Sequence, residues 1–135
     1  NRNEFYSVDF KNGLINWKNE ISSNITPVIT GNLIFTVSED GYLLVIEKNK
    51  GNIIRVTDLL MNYKIKKRKD IKPVGFAIDD TTLYLTNSDG KMILADLSIG
   101  NIKTIEKVSG DFVSRPFIFN QNLFVIRNGS IVQYN

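Results

Sequence analysis

Two pairs of adjacent carboxylates, Glu39-Asp40 and Asp79-Asp80, come nearest in type and spacing to a catalytic acid and its base. Neighbouring residues on a strand point to opposite faces, and both pairs precede or occupy turn sequences, so neither is set up to act across one substrate bond. They read as turn residues. The chain holds no histidine and no cysteine, which removes the usual general base near neutral pH and the usual zinc ligands. Serine, cysteine and zinc hydrolases of the familiar kinds are excluded, as is any disulfide. No stretch has the alternating oxygen ligands, glycine and distant glutamate of a calcium-binding loop, and no glycine-rich phosphate loop is present. The expected catalytic, cofactor-binding and metal-binding sets are empty.

What remains is charge. Lys64, Lys66, Lys67, Arg68, Lys69 and Lys72 supply six of the seventeen basic residues within nine positions, with Asp70 the only acid among them. Outside that segment 11 basic residues stand against 13 acidic ones, so the net charge of +3 is the property of one stretch. A nucleic-acid-binding face interleaves basic residues with aromatics on several elements, whereas only Tyr63 stands beside this run, and no nucleic acid is expected as partner. The segment reads as a solvated loop that projects from its sheet and stays mobile until neutralised. The alternative is a docking site for an acidic protein or an anionic lipid headgroup.

The elements that must position these groups are strands. With 135 residues, 42% hydrophobic and 23% charged, the composition is that of one soluble, folding domain. No apolar run approaches the roughly 20 residues that span a bilayer, and the chain opens at Asn1 without a basic-then-apolar leader, so it reads as the trimmed part of something longer. Segments 32–38 (NLIFTVS), 42–46 (YLLVI), 82–86 (TLYLT) and 122–127 (NLFVIR) are β-branched and aromatic runs bounded by Gly, Asn and Asp. The expected core is Leu33, Phe35, Val37, Leu44, Ile46, Leu83, Leu85, Ile93, Phe124 and Ile126. The best helical pattern, TDLLMNY at 57–63, is long enough only for a short turn of helix.

Three markers repeat in the same order. Asp40-Gly41, Asp89-Gly90 and Asn128-Gly129 each sit between two apolar runs, the signature of a tight hairpin whose central residues need positive φ. A second glycine series, Gly13, Gly51 and Gly100, and a proline series, Pro27, Pro73 and Pro116, recur with them. One unit is a strand, a Gly turn, a strand, a loop with Pro, a strand and a hairpin arm. That is about four strands in roughly 40 residues, a β-propeller blade. The expected fold is all-β: blades of four antiparallel strands, about three of them, a partial propeller. The units are 5–40, 41–89 and 90–128, with 129–135 starting a further blade. The hairpin glycines lie 49 and then 39 positions apart, so the longer interval holds an insertion, placed at the basic segment 60–72. Open blade edges would be templates for self-association.

These residues resemble the repeat of PQQ-type, quinoprotein-like propellers, which runs Ala-x-Asp-x2-Thr-Gly-x3-Trp. Residues 7–17 read SVDFKNGLINW and match it at Asp9, Gly13 and Trp17; the second copy keeps Glu47 and Gly51 with Arg55 at the Trp position, and the third keeps Asp96 and Gly100 with Thr104 there. The resemblance implies that the Trp docks on the Gly turn of a neighbouring blade. It is nearest in character to the propeller lipoprotein of the outer-membrane β-barrel assembly machinery. That implies a non-catalytic scaffold, periplasmic or outer-membrane associated, which presents interblade loops to a partner protein. Quinone-dependent dehydrogenases share the repeat, and so do ligand-sensing propellers. The vicinal disulfide of many such dehydrogenases cannot form here, and no cofactor is expected.

Overall fold

The computed structural model describes residues 3–134. Among these residues thirteen strands form four antiparallel sheets in chain order, and one short helix lies between the second and the third. The first sheet holds β1 (Phe5–Val8) and β2 (Ile15–Asn19). The second is β3 (Val28–Thr30), β4 (Leu33–Val37), β5 (Tyr42–Glu47) and β6 (Ile53–Asp58), paired in that order. After α1 (Ile65–Arg68), the third is β7 (Pro73–Ile78), β8 (Thr82–Asn87), β9 (Lys91–Asp96) and β10 (Ile102–Lys107). The fourth is β11 (Phe117–Phe119), β12 (Asn122–Arg127) and β13 (Ser130–Tyr134). A repeat unit of the sequence is offset from a sheet: it covers the last two strands of one and the first two of the next.

Apolar clusters fill the three spaces between successive sheets. Trp17 and Ile21 meet Ile34, Leu44 and Ile46 in the first. Phe35, Val37, Leu43 and Val45 meet Phe76, Leu83, Leu85 and Ile93 in the second. Met92 and Val108 meet Leu123 and Val125 in the third. The two middle sheets are covered on both faces, which is why Ile34 and Phe35, pointing opposite ways, are both buried. Each fully buried Leu, Ile or Val contributes about 1.5–3 kcal/mol relative to exposure.

In its core, helix and hairpins the structure departs from the sequence expectations in four places. Ile126 is 42% exposed and Phe124 only partly buried. In the last sheet Leu123 and Val125 face the third sheet, so the alternate residues point the other way, onto a face that no described sheet covers. Leu33 is also only half-buried. The helical turn falls at Ile65–Arg68 instead of 57–63, because Thr57 and Asp58 finish β6 and Leu59 and Leu60 then turn into the core. Of the three hairpins, only Asn128-Gly129 has both central residues at positive φ; at the other two only Gly41 and Gly90 do. Those two are four-residue turns, closed by bonds from Gly41 N–H to the Ser38 carbonyl (2.9 Å) and from Gly90 N–H to the Asn87 carbonyl (3.0 Å).

Candidate functional site

The motif acids are consumed by their own turns. Asp9 accepts from the backbone N–H groups of Lys11 and Asn12 at 2.8 and 3.2 Å. Glu47 accepts from those of Asn49 and Lys50, both at 2.8 Å. Asp96 accepts from the Ser98 hydroxyl at 2.6 Å and the Ser98 and Ile99 N–H groups at 2.9 and 3.1 Å. Four residues on, Gly13, Gly51 and Gly100 return an N–H to the acid's own carbonyl at 2.8, 2.9 and 2.7 Å, each with positive φ. The spacing of acid and glycine is thus turn chemistry. The N–H groups of Asn49 and Lys50 hold the Glu47 carboxyl below its ordinary range, and the Ser98 hydroxyl, followed by the Ile99 N–H, does the same for Asp96. Lowered folded-state values mean that their stabilisation is present above the ordinary carboxylate pKa of about 4 and is lost as pH falls through the folded value. In thermal melts the advantage of the native chain over Glu47→Gln should therefore shrink on acidification below about pH 4. A constant gap from pH 7 to pH 3 would contradict it.

The turns also receive the neighbouring sheet. Trp17 lies flat on the Gly51 turn, where an added Cβ would sit 2.5 Å from the indole Cδ2. The indole N–H donates to the Lys48 carbonyl at 2.8 Å, and the Asn19 amide donates to the Gly51 carbonyl at 2.8 Å. At the next junction Arg55 takes the Trp position and its guanidinium donates to the Leu97 and Ser98 carbonyls, while Thr57 covers Gly100. The missing aromatic in the second copy is thus replaced by a charged fork on two carbonyls, at the position that the fixed offset from Gly51 assigns to Arg55. Thr104, the third equivalent, is exposed.

The hairpin glycines Gly41, Gly90 and Gly129 lie at the opposite end of the strands, where the sheet-to-sheet connections 20–27, 59–72 and 108–116 also run. Glu39 N–H bonds the Ser22 carbonyl at 2.9 Å, Leu59 N–H the Gly41 carbonyl at 3.0 Å and Val108 N–H the Gly90 carbonyl at 2.9 Å. Hairpins and connections form one continuous loop face. Gly41 makes room for Leu60 and Gly90 for the Ser109 backbone, whereas a Cβ added at Gly129 would meet nothing within 4 Å. Of the carboxylate pairs, Glu39 accepts from Asn24 on this face. Asp79 lies at the other end, bonded by the Thr81 and Thr82 N–H groups and by the Tyr84 hydroxyl.

The basic segment is not a loop hung outside its sheet. Leu59, Leu60 and Ile71 are buried in the second intersheet cluster, and the Arg68 guanidinium makes two bonds to Asp58 at 2.7 and 2.8 Å. Lys64, Lys66, Lys67, Lys69 and Lys72 are exposed. The apolar residues at both ends tie the run to the core, and the charge count alone concealed them. Beside it, between the first two sheets, a cleft of about 700 Å³ is floored by Ile21, Leu44 and Val56 and bordered by Glu4, Glu20, Asp40 and Tyr42.

Residues 1–57 match the family model described as outer membrane protein assembly factor BamB. BamB from Moraxella catarrhalis superposes with a TM-score of 0.71 at 15% identity, over 97% of this chain and 37% of its own. Over residues 1–57 the chain is thus similar to the PQQ-like propeller repeat. Sqt1 of Saccharomyces cerevisiae matches with a TM-score of 0.77 at 17% identity, over 99% of this chain and 39% of its own. The quinohemoprotein alcohol dehydrogenase ADHIIG of Pseudomonas putida HK5 matches with a TM-score of 0.59 at 14% identity, over 79% of this chain and 17% of its own. At such identities the likeness is one of fold. The chain spans well under half the length of each of these structures. No curated protein matches it significantly.

Proposed function

We propose that this chain is part of a non-catalytic propeller scaffold that docks a partner protein on its loop face, in outer-membrane β-barrel assembly on the periplasmic side. The observation that carries the reading is the cleft between the first two sheets, an apolar floor inside a polar rim on the face where hairpins and interblade connections meet. The family description of BamB supports the assembly role. Among the described residues no helix is long and apolar enough to cross a membrane.

The dehydrogenase alternative would need acids converging on a quinone and its calcium ion. Glu47 and Asp96 are bound to their own turns, and among the described residues no three carboxylates are placed to hold a metal ion, so the residues present do not fit that group. Adding pyrroloquinoline quinone with calcium should leave the melting temperature and the quinone spectrum unchanged. A saturable rise in melting temperature with oxidation of an alcohol would replace the scaffold by the enzyme.

A further inference from the structure

The tip of the β6–β7 connection has a composition that neither folding nor the cleft requires. Ile65 is 87% exposed and Met61 61% exposed, four positions apart. Lys64, Lys66, Lys67 and Lys69 flank Ile65 in the chain and are exposed. Among the described residues the only ion pairs are Arg68 with Asp58 and Lys18 with Glu4, so none of these four ammonium groups has a carboxylate partner. The stem beneath is fixed: Leu59, Leu60 and Ile71 are buried, Arg68 grips Asp58, and the Lys91 ammonium stands 5.5 Å from the centroid of the Tyr63 ring. The tip is thus presented on a built support, so little ordering entropy is left to lose on docking.

We propose that this tip docks on the surface of an anionic lipid bilayer, with Ile65 and Met61 entering the boundary between headgroups and acyl chains and the four lysines meeting headgroup anions. Lysine stems lie along apolar surface while their ammonium groups stay at headgroup depth, which suits exposed lysines on both sides of an exposed isoleucine. An acidic protein surface would satisfy the lysines but would need a matching pocket for Ile65. A bilayer satisfies both at once. The inference goes beyond the scaffold reading and does not depend on it.

The chain has no cysteine, so Ile65→Cys carries an environment-sensitive fluorophore at one site. With the intact labelled chain, emission should rise and shift to the blue on vesicles containing about one third phosphatidylglycerol, and not on pure phosphatidylcholine vesicles. In sedimentation with the anionic vesicles, Lys66→Glu combined with Lys67→Glu should weaken binding by about 30-fold or more, and high salt should act the same way. Ile65→Ser should weaken it by about tenfold. Both variants should keep the native melting temperature, since these side chains are exposed. Equal binding to both vesicle types, or native binding by Ile65→Ser, would overturn the proposal. Binding to polyglutamate with none to vesicles would assign the tip to an acidic protein instead.

Discussion

Trp17→Ala is expected to destabilise the chain by about 3–5 kcal/mol. The indole is 8% exposed, stacks on Phe5 with ring centroids 6.2 Å apart, and packs against Ile21, Ile34, Leu44 and Ile46. Truncation empties the first intersheet space and removes the bond to the Lys48 carbonyl. Trp17→Phe keeps much of the apolar area and should cost about half as much. Gly51→Ala should be damaging too, because the new methyl group meets the indole at a left-handed backbone position. The two changes should couple: with Trp17 already removed, Gly51→Ala should cost only about 1–2 kcal/mol of backbone strain. Urea denaturation followed by circular dichroism measures all four variants. Strict additivity would show that the indole does not rest on that turn.

Gly90→Ala is expected to cost about 3 kcal/mol or more. Its φ of +76° is one that side chains rarely adopt, and a Cβ there would overlap the Ser109 carbonyl and come within 2.9 Å of the Asp111 carbonyl. These are backbone atoms, themselves fixed because Val108 and Ser109 both donate to the Gly90 carbonyl at 2.9 and 3.0 Å. Gly129→Ala is the control: its φ is +73° but nothing lies within 4 Å of the added carbon, so the strain of about 1–2 kcal/mol stands alone. Melting temperatures should fall clearly further for Gly90→Ala than for Gly129→Ala. Equal losses would mean that the 108–116 connection does not press on the hairpin.

The strands were legible because β-branched and aromatic runs between Gly, Pro and Asn markers have few other solutions. Which face of a strand is covered is a different matter. Val125 and Ile126 are equally apolar, and only the placing of the neighbouring sheet decides that the first is buried and the second exposed. The repeat placed Arg55 at the Trp position, but not what it does there: a guanidinium that binds two carbonyls performs a packing task usually read from an aromatic. The basic segment was hidden by its own charge, since six cations draw attention away from Leu59, Leu60 and Ile71, which anchor it. The cleft combines Glu4 and Glu20 from beside the first sheet with Leu44 and Val56 of the second, and no local pattern brings them together.

The most direct test of the scaffold reading is site-specific photocrosslinking of the intact protein in its native cells. A crosslinking side chain at Tyr42, on the rim of the cleft, should trap a protein of the outer-membrane β-barrel assembly apparatus. One at Asn32, in the β3–β4 turn at the opposite end of the strands, should not. A crosslink to that apparatus from Asn32 with none from Tyr42 would contradict docking on the loop face.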